Sequence, residues 1–383
     1  MYFEDVFYGT LHSKHFQRLV KTIKFPVDRL EWNFSWNQGE QGGVLEIYSD
    51  DIVFAFFMNP RYNRHTGLFA ILSRFPPTAE GRRRHDKMEK MKRIFMDQII
   101  KKIDKNFNVN RCQEVDPYRI ITDYMWSFCI PAKFDVVISR CGCQLSSPAD
   151  LPGTETLREF FIWEYKKKFE LVHIERFKLS TEDLLFVLEE LTAEEYKLGV
   201  ECLDRDFKYQ KSIKCRRFEA CDDCDWIALD HFLNPDSEME EINFGRHDIS
   251  VENINAFVKK WLSGNDQKLE RISAGVKDIY TQDEDGILIR RDQILVQGQI
   301  LDGIRITPTI FSKILLCFNE EALKRRLGQY EFHQFFDEEG GTSPVDIKRV
   351  RDGRRATVSI TEYSGSHSFD MYVWSEKFLR DVV

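Results

Sequence analysis

The chain has 383 residues, 42% apolar and 31% charged, with 55 Lys and Arg against 63 Asp and Glu and a net charge of −8. That composition belongs to a folded globular protein with a sizeable core and excludes a disordered chain. It contains no run of about 18 apolar residues and no basic-then-apolar leader, which argues against membrane insertion or secretion and for a cytoplasmic or nuclear location.

In chain order, residues 11–20 read as a short helix. Residues 30–36 and 44–48 alternate as half-buried strands, with Gly39, Gly42 and Gly43 as turn formers between them, and residues 51–58 are apolar enough for a central strand. Met88, Met91, Phe95, Ile99 and Ile103 recur at helical spacing, so this stripe should pack on the sheet. The same helix starts beside Arg82, Arg83, Arg84 and His85, and residues 82–105 hold ten Lys or Arg against four Asp or Glu. Such a segment could meet RNA, an anionic surface or an acidic partner. The overall negative charge and the lack of a nucleic-acid-binding signature favour a solvated helix face.

Residues 171–179 form the next strand pattern, followed by Ser180 as a helix cap and by Leu184, Leu188 and Leu191 on one helical face. Seventy residues later Ser250 caps a second helix, with Ile254, Val258 and Trp261 at the corresponding positions. Between the two copies, Ile213 and Cys215 read as strand positions and Trp226, Leu229 and Leu233 as the helix face of a looser third copy. Gly264 sits where a left-handed helix-ending residue belongs, and Leu269 and Ile272 restart an apolar pattern. Units of strand, turn and helix bury their faces only by stacking, so the expectation is a short, irregular, leucine-rich-repeat-like stack. Phe257 and Trp261 are expected in its core.

The nine cysteines, at 112, 129, 141, 143, 202, 215, 221, 224 and 317, are read as thiols. Cys221 and Cys224, with His231 downstream, are weak metal candidates. A structural zinc site needs four ligands and a second cysteine pair is missing, so the expectation is no metal and no cofactor. Beyond residue 276, Gln282–Gly286 and Asp302–Gly303 punctuate apolar runs at 287–289, 293–296 and 304–306. Those runs suggest a small antiparallel sheet, covered by a helix over 310–327. An acidic connector follows at 332–341, then an Asp352–Gly353 hairpin and a closing strand through Tyr372 and Trp374. The fold class is therefore α+β, divided as 1–20, 21–165, 166–275 and 276–383.

Phosphate-cradling loops, zinc-protease helices, nucleophile elbows and kinase or dinucleotide fingerprints are absent, so the chain reads as a non-enzyme, with an enzyme assembled from distant residues as the alternative. Asn255, Phe257, Trp261, Gly264, Asn265, Leu269 and Glu270 form a motif similar to the type 2 associated domain of nematode F-box-associated proteins. Residues 345–358 resemble the strand, Asp-Gly turn and strand that often follow it. The resemblance implies a protein-interaction or substrate-recognition module related to F-box ubiquitin-ligase receptors. It also implies a cullin-ligase adaptor as a possible partner. Only the last helix of an F-box has a counterpart here, at 11–20, so an F-box-less scaffold is expected, with its protein partner unidentified. Outward positions on the strands, Glu175, Arg176, Lys178, Arg216, Arg217, Asn243 and Arg246, are the candidate interaction surface.

Overall fold

A computed structural model describes residues 13–37, 40–49, 52–58, 69–74, 129–140, 149–150, 168–220, 224–227, 239–247, 249–264, 268–276, 279–282, 288–291, 297–311, 320–327, 343–363 and 366–382, with scattered positions between 6 and 127. It divides into two compact units, Met1–Ala193 and Glu194–Val383.

The first unit runs α1 (Lys14–Ile23), β1 (Phe25–Asn37), β2 (Glu40–Ser49), β3 (Ile52–Met58), β4 (Phe69–Arg74), β5 (Cys129–Arg140), β6 (Ala149–Asp150), β7 (Lys168–Leu179) and α2 (Thr181–Leu185). Ser13 opens α1 by accepting the Phe16 N–H at 3.1 Å. Strands β1 to β4 form an antiparallel run, while β1, β5 and β7 are parallel neighbours and β6 pairs the end of β7. Alternation in β1 sends Leu30, Trp32 and Phe34 to one face, in register with Ile47 and Leu45 on β2 and with Phe134, Val136 and Ile138 on β5. All eight are buried. Trp32 completes its burial by donating its indole N–H to Thr122 at 3.0 Å.

The opposite face of that sheet is charged. Glu46, Glu31 and Asp135 are neighbours in register across β2, β1 and β5. Arg29 answers them, lying 2.6 Å from Glu31, pairing with Asp135 and stacking over Tyr48. Burial pushes the Glu31 and Asp135 carboxyls above the usual carboxylate range against the pull of Arg29. The expected strands are present, with one correction. Gly42 and Gly43 pair with Ser35 and Phe34 inside β2, because ladder hydrogen bonding carries the strand through them. Gly39 and the expected stripe Met88, Met91, Phe95, Ile99 and Ile103 lie outside the described residues.

At the end of β7, Ser180 accepts the Asp183 N–H at 3.1 Å and so caps α2, as its sequence position implied. The helix then widens into a π turn over Phe186–Glu190. Leu184, Val187, Leu188 and Leu191 are buried.

The second unit contains β8 (Thr192–Cys202, whose first two residues precede the boundary), β9 (Arg217–Ala220), β10 (Glu241–His247), α3 (Val251–Ser263) and β11 (Arg271–Val276). Then follow β12 (Ile279–Gln282), β13 (Leu288–Arg291), α4 (Gln297–Ile300), β14 (Ile306–Pro308), α5 (Glu320–Leu327), β15 (Val345–Lys348), β16 (Arg355–Tyr363), β17 (Ser366–Trp374) and α6 (Glu376–Val382). Strands β8, β9, β10 and β11 are parallel neighbours in chain order. Strand β17 then adds antiparallel to β11, followed outward by β16, β15 and β14. The pair β12–β13 is a separate hairpin.

One face of this sheet is a core built in rows. Tyr196, Phe218, Ile242, Ile272, Met371 and Val358 follow one another in register, and Leu198, Ala220, Phe244, Ala274, Phe369 and Ile360 form the next row. Every one of these side chains is buried. The unit is thus α+β and mixed in strand direction, with a parallel half made by the middle of the chain and an antiparallel half made by its end.

Several expectations need correction. Trp226 is not on a helix; it sits in a turn, buried, with its indole N–H donated to the Val200 carbonyl at 2.8 Å. Ile213 and Cys215 are buried but precede β9 instead of lying in it. Leu229 and Leu233 lie outside the described residues. Among the described residues, the segment after β8 holds turns and the isolated bridge Tyr209 to Ile227, and α3 joins β10 to β11. No regular layer of repeated helices follows β8, β9 and β10 among the described residues. Ile310 and Phe311 occupy a turn, because Asp346 takes the Ile310 N–H at 3.1 Å and Thr309 takes the Phe311 N–H at 3.3 Å. The terminal helix α6 was not anticipated. With α5 and Phe311 it covers Tyr372 and Trp374, so Phe311, Leu323, Leu327, Tyr372 and Trp374 form a second cluster joined by Phe378 and Leu379.

Asp346 organises the antiparallel end. Its carboxylate is buried and accepts from Thr357 at 2.7 Å, Arg355 at 3.0 Å and the Ile310 N–H, while Thr357 accepts the Trp374 indole N–H at 2.7 Å. Replacing Asp346 by Ala strands three donors in a closed environment, so we expect a loss of about 3–5 kcal/mol in urea-unfolding stability. A change below about 1 kcal/mol would show that the network relaxes without it.

Candidate functional site

The polar face of the second unit's sheet is the side opposite the core rows. In the parallel half each strand repeats one pattern of charge, apolar residue, polar residue, apolar residue: Glu195 to Leu198, Arg217 to Ala220, Glu241 to Phe244 and Arg271 to Ala274. Because a strand's side chains alternate, the first and third residues of each pattern share the face that the apolar ones avoid. Register then sets them in two rows. Glu195, Arg217, Glu241 and Arg271 alternate in sign across four strands, and Lys197, Glu219, Asn243 and Ser273 follow beside them.

The charges in these rows are paired loosely. Arg217 lies 3.8 Å from Glu195 and 3.6 Å from Glu241, and Lys197 lies 3.0 Å from Glu219 and 3.5 Å from Glu195. Partial burial alone would pull the Lys197 ammonium down, but its bonds to Glu219 and Glu195 win and raise it. Where β11 meets β17, Arg271 stacks over Tyr372 at 5.1 Å and reaches Asp370 at 3.9 Å. Pairs this exposed contribute about 0–1 kcal/mol each. They orient the face more than they stabilise it, and a partner can exchange them cheaply.

The expected surface residues divide between the units. Arg217 and Asn243 lie on this polar face, on adjacent strands. Arg216 sits just before β9, donating its backbone N–H to the Glu194 carbonyl at 2.8 Å and lying 3.8 Å from Glu240. Arg246 belongs to β10 by its backbone. Glu175, Arg176 and Lys178 are on β7 in the first unit, where Glu175 pairs with His173 and Arg176, and Arg176 takes a positive φ of 66°. Sequence reading missed Glu195, Lys197, Glu219, Glu241 and Arg271, although the recurring four-residue pattern carried the signal.

Cys224 is buried and donates its thiol to the Leu198 carbonyl at 2.9 Å, which is the behaviour of a packed side chain. Cys221 and His231 lie outside the described residues, among which no group of His, Cys, Asp and Glu is arranged to hold a metal. Burial, aided by Glu195 and Glu194, pushes the Cys215 thiol up to about 12 and so keeps it unreactive. No described helix is long and apolar enough to cross a membrane.

The helix α3 joins two strands of this face, β10 and β11. Ser250 and Asn253 cap it reciprocally, at 3.3 Å from the Asn253 N–H to the Ser250 hydroxyl and 3.2 Å from the Ser250 N–H to the Asn253 carboxamide. Ile254, Phe257, Val258 and Trp261 are buried, as their spacing required. Asn255 donates to the Ile300 carbonyl at 2.6 Å and the Asp302 carbonyl at 3.2 Å, tying α3 to the turn after α4. Gly264 corrects the sequence reading: its φ of −85° is not left-handed. What requires glycine there is space, since a Cβ would stand 2.9 Å from the Lys260 carbonyl oxygen. Leu269 is buried, and its carbonyl accepts from Arg354 at 3.0 Å.

Trp261 is set apart from the other buried tryptophans described above. Among the described residues its indole N–H has no hydrogen-bond partner, and its ring instead faces the guanidinium of Arg349 at 5.1 Å. Arg349 is fully buried and forks onto the Asp352 carboxylate at 2.9 and 2.5 Å. Thus one motif residue on α3, Trp261, packs against the Asp-Gly hairpin through Arg349.

A family model described as F-box associated matches residues 207–274, a stretch that contains β9, β10, α3 and most of β11. No curated protein and no solved structure matches the chain.

Two outcomes follow from this packing. Trp261→Ala should cost about 3–5 kcal/mol by leaving a cavity under Arg349, read from urea unfolding; a loss under about 1 kcal/mol with binding abolished would make Trp261 an exposed anchor instead. The bond from Arg349 holds the Asp352 carboxyl down at about 2, from an ordinary 3.8. A lowered acid contributes stability above its unfolded value and loses it as pH falls through its folded one. The melting-temperature gap between wild type and Asp352→Asn should therefore be constant above about pH 5 and close as pH falls from 3.8 toward about 2.

Proposed function

We propose that this chain is a protein-interaction module of the F-box-associated kind, a non-catalytic scaffold that recognises another protein through the polar face of its parallel strands. The observation that carries the reading is the alternating row Arg217, Glu241, Arg271 inside the family-matched stretch, with Glu195 continuing it on β8. A rigid core row lies behind each charged row, so outward residues can vary with the partner at little cost to folding. Parallel strands added in chain order support the leucine-rich-repeat-like description of residues 166–275 as part of the same proposal, together with the division at 20, 165 and 275. Substrate recognition for a ubiquitin ligase is the role we assign to the face where an adaptor-binding element accompanies it, and a scaffold or competitor role where it acts alone.

The reading is tested by isolating partners with the purified protein and then replacing Lys197 and Arg217 together by Ala. Partner affinity should fall by about tenfold or more while the melting temperature holds. Unchanged binding in the folded variant removes this face from consideration. Mixing with the cullin-ligase adaptor tests the scaffold assignment, and a stoichiometric complex of affinity tighter than about 1 μM would replace it with an active receptor.

A further inference from the structure

The hairpin between β15 and β16 combines two properties. Its frame is rigid: the Arg349 N–H donates to the Arg354 carbonyl at 2.9 Å, the Gly353 N–H to the Arg349 carbonyl at 3.0 Å and the Arg354 N–H to Asp352 at 3.0 Å. Gly353 takes a φ of 74°, which an L side chain resists. The Arg349 side chain is clamped between Asp352 and Trp261, and the Arg354 side chain is bonded to Leu269. At the tip of this frame Val350 is 98% exposed, against 69% for Ile23, the next most exposed large apolar residue described.

Single exposed apolar residues are ordinary on protein surfaces. A β-branched residue at a turn tip is not the local choice, because turns favour Gly, Asn, Asp, Ser and Pro. At this exposure Val350 adds nothing to the core, while its fixed frame lowers the entropy lost when a partner closes over it. The surroundings are basic. Lys348 and Arg351 flank the tip and are exposed; Lys260 and Lys268 are exposed on the segments to which Arg349 and Arg354 are anchored. The carboxylate on the hairpin, Asp352, is engaged by Arg349 and by the Arg354 N–H. In a chain of net charge −8 this sign is local.

We propose that Val350 is an anchor for an acidic protein segment, one with Asp or Glu flanking a shallow apolar pocket or an aliphatic or aromatic side chain that packs on it. Lys348 and Lys260 supply the steering charge. A single valine is too little apolar surface to hold a membrane, and the turn between β15 and β16 bears no aromatic side chain on which a nucleic-acid base could stack. The inference rests on the protein-interaction reading above but places the contact on a different surface.

The test is selection of a displayed random-peptide library on the purified protein. Selected peptides should be rich in Asp and Glu around an apolar residue, and their affinity should fall about tenfold or more with Lys348→Glu or Val350→Asp. Both positions are exposed, so the melting temperature should not change. Arg217→Ala should leave these peptides bound. Absence of acidic peptides from the selection, or equal binding by Lys348→Glu, overturns the proposal. Selected peptides that lose affinity with Arg217→Ala but not with the hairpin variants would uphold the sheet face and overturn the hairpin. Tighter binding of polyuridylate, or of phosphatidylserine vesicles, than of any selected peptide would overturn it as well.

Discussion

Arg349 carries a permanent charge at zero exposure, and the C-terminal half of the protein is arranged around keeping it there. Removing a guanidinium from water costs several kcal/mol unless strong partners replace the solvent. Asp352 supplies a two-pronged acceptor and Trp261 supplies its ring face, so neither the hairpin nor α3 can shift without uncovering the cation. Asp352 is itself 39% exposed, which spares the pair the cost of burying both ions. This one contact fastens the family-matched stretch to strands more than eighty residues later in the chain. It also accounts for the unpartnered Trp261 indole N–H: the ring is positioned by stacking and packing, whereas Trp226 and Trp374 are positioned by hydrogen bonds.

The sheet of the second unit grades from open to closed along its rows. At β8, β9 and β10 the outward residues are half-exposed charges in loose pairs. At β11 and β17, Arg271 already leans on Tyr372, and beyond it Thr357 and Asp346 are buried beneath Phe311 and the helices α5 and α6. A polar row that continues under an apolar cover must satisfy itself. Asp346, Thr357, Arg355 and Trp374 do so as one network, while the exposed half of the same row leaves its charges replaceable. Stability is therefore concentrated at the antiparallel end and adaptability at the parallel end.

Local periodicity was readable wherever it decided local structure. Apolar patterning located β1, β2 and β7, and continuous apolar character located β3, to within a few residues, and Ser180 and Ser250 announced two helix starts because a capping hydroxyl acts within one turn. Neighbour relations were not readable in that way. A strand's alternation says which side chains share a face but not which strand lies beside it, so the row Glu195, Arg217, Glu241, Arg271 emerged only with register. Trp226 was misread for the same reason: its apolar spacing suits a helix, and only a distant carbonyl, that of Val200, explains the turn. Arg349 was hidden most completely, since an arginine among four other basic residues between positions 348 and 355 has every local mark of a solvated side chain.

That concealment bears on how the two candidate surfaces relate. The hairpin and the polar rows use the same residue types, Arg and Lys beside Asp and Glu, yet bonding divides them into different physical classes. On the sheet Lys197, Arg217 and Arg271 each lie within about 4 Å of a carboxylate, which keeps the local potential near balance and makes selectivity depend on matching a pattern of alternating sign. At the hairpin the acid is consumed internally by Arg349, while Lys348 and Arg351 stand exposed beside one rigid apolar point. A patterned face discriminates between partners with similar net charge; a single-signed tip accelerates encounter with any acidic one. Because Arg354 joins the hairpin to the carbonyl of Leu269, two residues before β11 begins, the two surfaces are held by one framework and a partner large enough to touch both would meet them in fixed geometry.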